Sequence, residues 1–201
     1  MNKICRNCKK EKDSNDFLQW KNKHFSYLCK ECYKKMQRPL YAQAIKKRYG
    51  NKLKKYDNID EKSLSYTAGL IDGEGCIFIS RGKPRGKRKT PEYCLVVSIG
   101  MSTDIALKDI IKTFGGTMIK RPNGNFKPIY QWRIQAIKAE GFLRCILPYL
   151  KIKYKEAKLG LQFREHIINY MYQNGKTITN LNEIAAREAY KLKMEELKRC
   201  V

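Results

Sequence analysis

The chain has 201 residues, 42% of them hydrophobic, which suffices for one packed domain with a small appendage and argues against wholesale disorder. Its charge is lopsided: 43 Lys and Arg stand against 19 Asp and Glu, a formal net of +24. Confining that much like charge costs self-repulsion, which a polyanion relieves, and nucleic acid adds the gain from released counterions.

An anionic membrane is the rival partner. No apolar run reaches the roughly 18 residues that could span a bilayer, and no apolar signal segment follows Met1. The expectation is therefore no membrane and an intracellular setting; for the host, the expectation is the cytoplasm of a prokaryote or phage-infected cell, with an organellar origin left open. In such a reducing compartment the eight cysteines point to metal or packing before disulfides.

Residues 1–36 are Lys-rich and hold two CxxC pairs, Cys5-x2-Cys8 and Cys29-x2-Cys32, with twenty residues between them. Two such knuckles bring four thiolates to tetrahedral positions around Zn²⁺, and a segment too short for its own core takes its folding free energy from the metal. A four-cysteine zinc ribbon is expected here. Residues 37–62 form a basic, Tyr-rich connector with helix formers from Ala42 to Tyr49 and a stop at Gly50–Asn51.

From Ser63 onward helix and strand signals alternate through residue 201. Ser63 to Gly73 reads as a helix opened by Ser and closed near glycine. CIFIS, from Cys76, alternates as a strand, followed by the basic loop RGKPRGKRKTPE. Tyr93 to Met101 is a second strand, with Leu95, Val97 and Ile99 on one face. Asp104 to Phe114 is helical and ends at Gly115–Gly116. Thr117 to Arg121 and Ile129 to Gln135 are strands joined through the turn signal Pro122-Asn123-Gly124-Asn125. A short helix from Lys138 to Leu147 meets Pro148; helices from Lys153 to Tyr172 and Leu181 to Arg199 complete the chain. The order is αββαββα with extra C-terminal helices, an α+β fold.

Thr67-Ala68-Gly69-Leu70-Ile71-Asp72-Gly73-Glu74-Gly75 carries its own physics. Ala68, Gly69 and Gly73 leave a helix face nearly bare, so a second helix can approach closely. The acid at the end of the helix faces an unfavourable macrodipole, tolerable where it holds a cation. Asp72 is the local capping acid. TAGLIDGEG resembles the motif of the LAGLIDADG homing endonucleases, and LPYLKIKYKEA at 147–157 resembles the family's segment after the fourth strand.

That resemblance implies an αββαββα domain with a saddle-shaped antiparallel sheet over the DNA major groove. It also implies a homodimer, since the motif occurs once, with Ala68, Gly69 and Gly73 at the dimer interface. The target would be a long, near-palindromic double-stranded site, cut with a stagger by Mg²⁺-dependent hydrolysis. Glu74, with Gly75, would hold the Mg²⁺, and Lys153 would act near the scissile phosphate. Phe78, Ser80, Gln131, Arg133 and Gln135 would face the bases, while Arg81, Arg85, Lys87, Arg88 and Lys120 would add DNA contacts. The family's polar residue at the end of the second strand, commonly Gln, has no clear counterpart in Ser98-Ile99-Gly100-Met101-Ser102. Two alternatives stay open: a maturase-like cofactor of RNA splicing, and a DNA-binding regulator that does not cut.

Overall fold

A computed structural model describes residues 2–19, 25–33, 35–36, 43, 47, 50, 56, 59–84, 90–174 and 180–199. The chain divides into two compact units, one of Met1–Arg48 with Tyr170–Gly175 and one of Tyr49–Asn169 with Lys176–Val201. The first holds two small antiparallel hairpins, β1 (Asn2–Ile4) with β2 (Glu11–Asp13) and β3 (Phe17–Gln19) with β4 (Phe25–Cys29). Most of the helix expected over Ala42 to Tyr49 lies outside the described residues. Tyr56, expected in the connector, is buried in the second unit, its ring stacked 6.3 Å from that of Phe114.

The second unit runs α1 (Glu61–Glu74), β5 (Gly75–Gly82), β6 (Glu92–Met101), α2 (Ile105–Phe114), β7 (Thr117–Asn123), β8 (Phe126–Gln135), α3 (Ile137–Ile146), α4 (Tyr154–Asn174, of which the residues from Tyr170 count with the first unit) and α5 (Leu181–Arg199). Helix α1 starts two residues before the expected Ser63, because Asp60 is the cap and its carboxylate accepts from the Ser63 N–H at 2.9 Å. The β7–β8 strands run further into the turn than expected, reversing at Gly124 with φ +56°. Their register slips between Arg121 and Asn123, where Pro122 has no N–H to give.

The four strands make one antiparallel sheet in the order β5-β6-β8-β7. Alternation sends Ile77, Ile79, Leu95, Val97, Ile99, Trp132 and Ile134 to the helix-covered face. There Phe142 of α3 meets Phe114 edge-on at 4.8 Å and tilts onto Trp132 at 5.2 Å. Glu140, fully buried beside this cluster, accepts from Arg144 Nη2 at 2.9 Å and Arg164 Nε at 3.3 Å, tying α3 to α4. A carboxylate in that position is tolerable only with both cations in place.

Helix α5 lies along the edge strand β5 and runs against it: Glu188 pairs with Arg81 at 3.3 Å near one end, and Lys198 Nζ reaches Cys76 Sγ at 3.1 Å near the other. The exposed edge of the sheet is thereby covered. Among the described residues no helix is long and apolar enough to cross a membrane.

Phe142→Ala should lower unfolding free energy by about 3–5 kcal/mol, read from urea midpoints, because it empties the contact between three aromatic rings.

Candidate active site

The motif helix presents two different sides. Thr67, Ala68 and Ile71 are buried in the helix's own unit. Ala68 is therefore a core residue, not part of an outward interface as expected; its small side chain lets α1 settle against the same chain. Gly69 and Gly73 do lie on the exposed side, where an added Cβ would meet nothing within 4 Å.

Helix α1 passes into β5 with no linking residue. At Gly75 the backbone is already extended (φ −81°, ψ 159°), and a Cβ there would stand 2.7 Å from both Cα and O of Ile71. Backbone cannot yield to such a clash, so only glycine permits this junction. The junction leaves Glu74 exposed at the carbonyl end of the helix. Among the described residues its carboxylate has no hydrogen-bond or ion-pair partner. It lines a cavity of about 270 Å³ with Gly100, Met101, Ser102 and Ile129. Where the family's amide was sought, the end of β6 thus offers a bare backbone at Gly100 and the short hydroxyl of Ser102.

Asp72 has a larger role than a local cap. Its two carboxylate oxygens accept the backbone N–H groups of Lys151 at 2.8 Å and Lys153 at 2.9 Å. The Lys153 ammonium reaches back to the Ile71 carbonyl at 2.9 Å and to that of Asp72. Segments 79 to 81 residues apart in sequence are locked together, and Lys153 is placed at the helix terminus that bears Glu74. Partial burial pushes the Asp72 carboxyl upward, but the N–H groups of Lys151, Lys153 and Ile152 and the charge of Lys153 outweigh it and hold the group below its ordinary 3.8. Lys151 itself is exposed, so Lys153 is the lysine that the geometry singles out.

Strand register sorts the expected DNA contacts. Cys76 lies beside Ser98, then Arg133, then Thr117; Phe78 lies beside Val96 and then Gln135; Gly100 lies beside Gln131 and then Ile119. Phe78, Ser80, Gln131, Arg133 and Gln135 therefore share the sheet face turned away from the helices, as the alternation predicts. Arg81 does not: it shares the parity of Ile77 and Ile79, and its guanidinium pairs with Glu188 on α5. Lys120 does not either, since it stands opposite Tyr130 on the side of Trp132, 5.8 Å from the Tyr130 ring. Period two decides both, and the neighbouring residue takes the open position in β7: Arg121, opposite Ile129. The alternation of β7 could have revealed Arg121. Arg85, Lys87 and Arg88 lie outside the described residues.

In the first unit the sulfurs of Cys5, Cys8, Cys29 and Cys32 all lie within 4.8 Å of one another. Tetrahedral Zn–S bonds of about 2.3 Å would set the sulfurs about 3.8 Å apart, so the four thiols fit such an ion. The Cys29 N–H donates to Cys5 Sγ at 3.3 Å. This bond and that from Cys8 bring the Cys5 thiol down to about 6, which favours the thiolate that a metal needs.

With this geometry in hand, comparison with known proteins is direct. No protein-family model matches the chain, and no curated protein matches it. Solved structures do. The homing endonuclease I-CvuI, in complex with the I-CreI target in the presence of Mg with the DNA not cleaved, aligns with a TM-score of 0.57 at 20% identity over 68% of this chain and 82% of that one. The archaeal intron-encoded homing endonuclease I-Vdi141I, complexed with DNA, aligns at 0.55 and 15% over 68% and 84%. The meganuclease I-SmaMI, bound to uncleavable DNA, aligns at 0.52 and 16% over 67% of this chain but 44% of its own. A sheet in this order, packed by helices on one face and entered directly from a motif helix, is the LAGLIDADG homing-endonuclease fold. This chain has that fold.

Asp72→Ala should cost about 1–3 kcal/mol near pH 7, because two backbone donors lose a charged acceptor. The folded-state pKa lies below 3.8, so the stabilisation is present above that value and disappears as pH falls through the folded pKa. Parallel urea titrations of the two proteins should differ most above about pH 4 and draw together as pH falls below 3.8 through the folded pKa.

Proposed function

We propose that the chain is a site-specific double-strand DNA endonuclease of the homing type, acting as a homodimer on a long, nearly palindromic site and hydrolysing one phosphodiester bond per strand to leave a staggered cut. The observation that carries this reading is the Glu74 carboxylate, without a partner among the described residues, at the end of the motif helix, with the Lys153 ammonium fixed at the same terminus. The open sheet face beside it and a net charge of +24 suit a duplex.

Gly69 and Gly73 support the dimer. Each costs about 0.5–1 kcal/mol against alanine within a helix, and nothing among the described residues of its own chain requires the missing side chain. A second copy of α1 crossing this bare side would require it. The fit to 82% of one neighbour and 44% of a longer one supports a half-site in each chain. Two-fold symmetry then makes the target near-palindromic.

A Mg²⁺ ion suits a site with one exposed carboxylate per chain, since it takes oxygen ligands, keeps waters and shares phosphate oxygens with a substrate. When bound it supplies Lewis-acid polarisation of the phosphate and a more acidic water. Glu74, with the backbone of Gly75 beside it, would hold the ion. Lys153, oriented by the Ile71 and Asp72 carbonyls, is placed to stabilise charge that grows on the phosphate. Arg133 is suited to guanine and Gln131 and Gln135 to adenine in the major groove. The four cysteines of the first unit would hold Zn²⁺ as a structural ion.

The deciding experiment is cleavage of a randomised duplex library in Mg²⁺ by the full chain and by Glu74→Gln. Symmetric, staggered cuts should appear with the former and vanish with the latter, while duplex binding persists in both. Binding without cutting by either protein would leave a regulator in place of a nuclease. Replacing Cys29 and Cys32 by Ser should weaken DNA binding and leave cutting at saturating protein intact. Complete loss of cutting, with the second unit still folded by circular dichroism, would contradict a merely structural role for that metal.

A further inference from the structure

Two branched apolar side chains stand exposed on the otherwise polar sheet face. Ile119 of β7 is 55% exposed and Ile129 of β8 is 39% exposed. Ile119 lies opposite Gln131 and Ile129 opposite Arg121, so the two isoleucines are diagonal neighbours on one face and form a single patch. The patch reaches the active site: Ile129 lines the same cavity as Glu74, and its Cγ2 lies 3.7 Å from where a Cβ on Gly100 would stand. Arg121, Gln131 and Arg133 share the face. Phosphate grip alone would put lysine or arginine at both positions. In the major groove the base edges offer one apolar group, the 5-methyl of thymine.

Phe78 and Val96 are also apolar residues of this face, but Val96 is fully buried and the ring of Phe78 is already engaged. Arg133 and Lys198 place their charges 5.7 Å and 5.5 Å from its centroid. Among the described residues no cation is recorded against the isoleucine pair.

We propose that Ile119 and Ile129 read thymine methyl groups in the major groove beside the cleaved bonds, and so select thymine at one or two positions of each half-site. This rests on the endonuclease reading and adds to it a base preference next to the catalytic carboxylate.

The test replaces each thymine of the selected target, one at a time, by deoxyuridine, which removes the methyl and leaves the hydrogen-bonding edge unchanged. Affinity of the unmodified protein should fall about threefold to fourfold at one or two thymines per half-site, the loss expected for one buried methyl. Ile119→Ala and Ile129→Ala should bind the thymine duplex more weakly and no longer distinguish it from its deoxyuridine counterpart. Both side chains are exposed, so the variants should melt with the unmodified protein; should either fail to fold, the scan with the unmodified protein decides alone. Full affinity at every deoxyuridine by a protein that still cuts its target overturns the methyl contact and leaves the endonuclease standing. So does discrimination retained by both variants. Failure to select any target from the library overturns both readings together.

Discussion

Everything at the candidate active site hangs on a junction with no room in it. Helix α1 ends at Glu74 and strand β5 begins at Gly75, so the direction of the sheet is set by the end of the helix. Any side chain at position 75 would strike the backbone of Ile71. The stiffness has a chemical consequence: Glu74 sits where the unsatisfied carbonyls of the helix make a negative end, the position least suited to an unpaired carboxylate. Asp72 and Lys153 answer that polarity from the other side. The carboxylate takes up the N–H groups of the incoming 151–153 segment, and the ammonium takes up the carbonyls of Ile71 and Asp72. Lys153 is thus a structural counter-charge to the helix end that bears Glu74.

The sheet sorts its side chains between the helix-covered face and the open face by parity. Odd-numbered residues of β5 and β6 go to the helices and even-numbered ones to the open side. Arg81 and Lys120 show how strict this is. Both are basic residues in strands beside recognition positions, yet each is one residue out of phase and finds its partner on the helix side, Glu188 for Arg81 and the Tyr130 ring for Lys120. Helix α5 sharpens the separation. Its Glu188 draws Arg81 away, while its Lys198 reaches the ring of Phe78 at the rim of the open face.

The charge of the chain is distributed in keeping with that division. Two of the buried acids are matched to cations, Glu140 to Arg144 and Arg164, and Glu183 to Arg187, with His166 Nε2 also 3.0 Å from Glu183. Burial of those carboxylates would otherwise cost several kcal/mol each. Pairing inside leaves the excess of 43 bases over 19 acids to the surface, where a polyanion can meet it.

Several features were legible in the residues alone. The nine-residue motif located the helix and its terminal acid, hydrophobic alternation gave four strands and their open-face set, and the two CxxC pairs gave a four-sulfur cluster, because each of these depends on spacing within a short stretch of chain. What sequence could not decide were relations between distant segments. Ala68 read as part of a bare outer helix face and is core, because which side of α1 turns inward depends on what packs against it. Asp72 read as a local cap and instead binds a loop 79 residues later. Arg81 is drawn off by a helix more than a hundred residues away. Whether Phe78 or the Ile119–Ile129 pair keeps an apolar surface free was equally hidden, since it depends on Lys198 and Arg133 arriving from other elements. Local periodicity assigns a residue to an element and a face; only the folded chain supplies the neighbours that decide what the residue can do there.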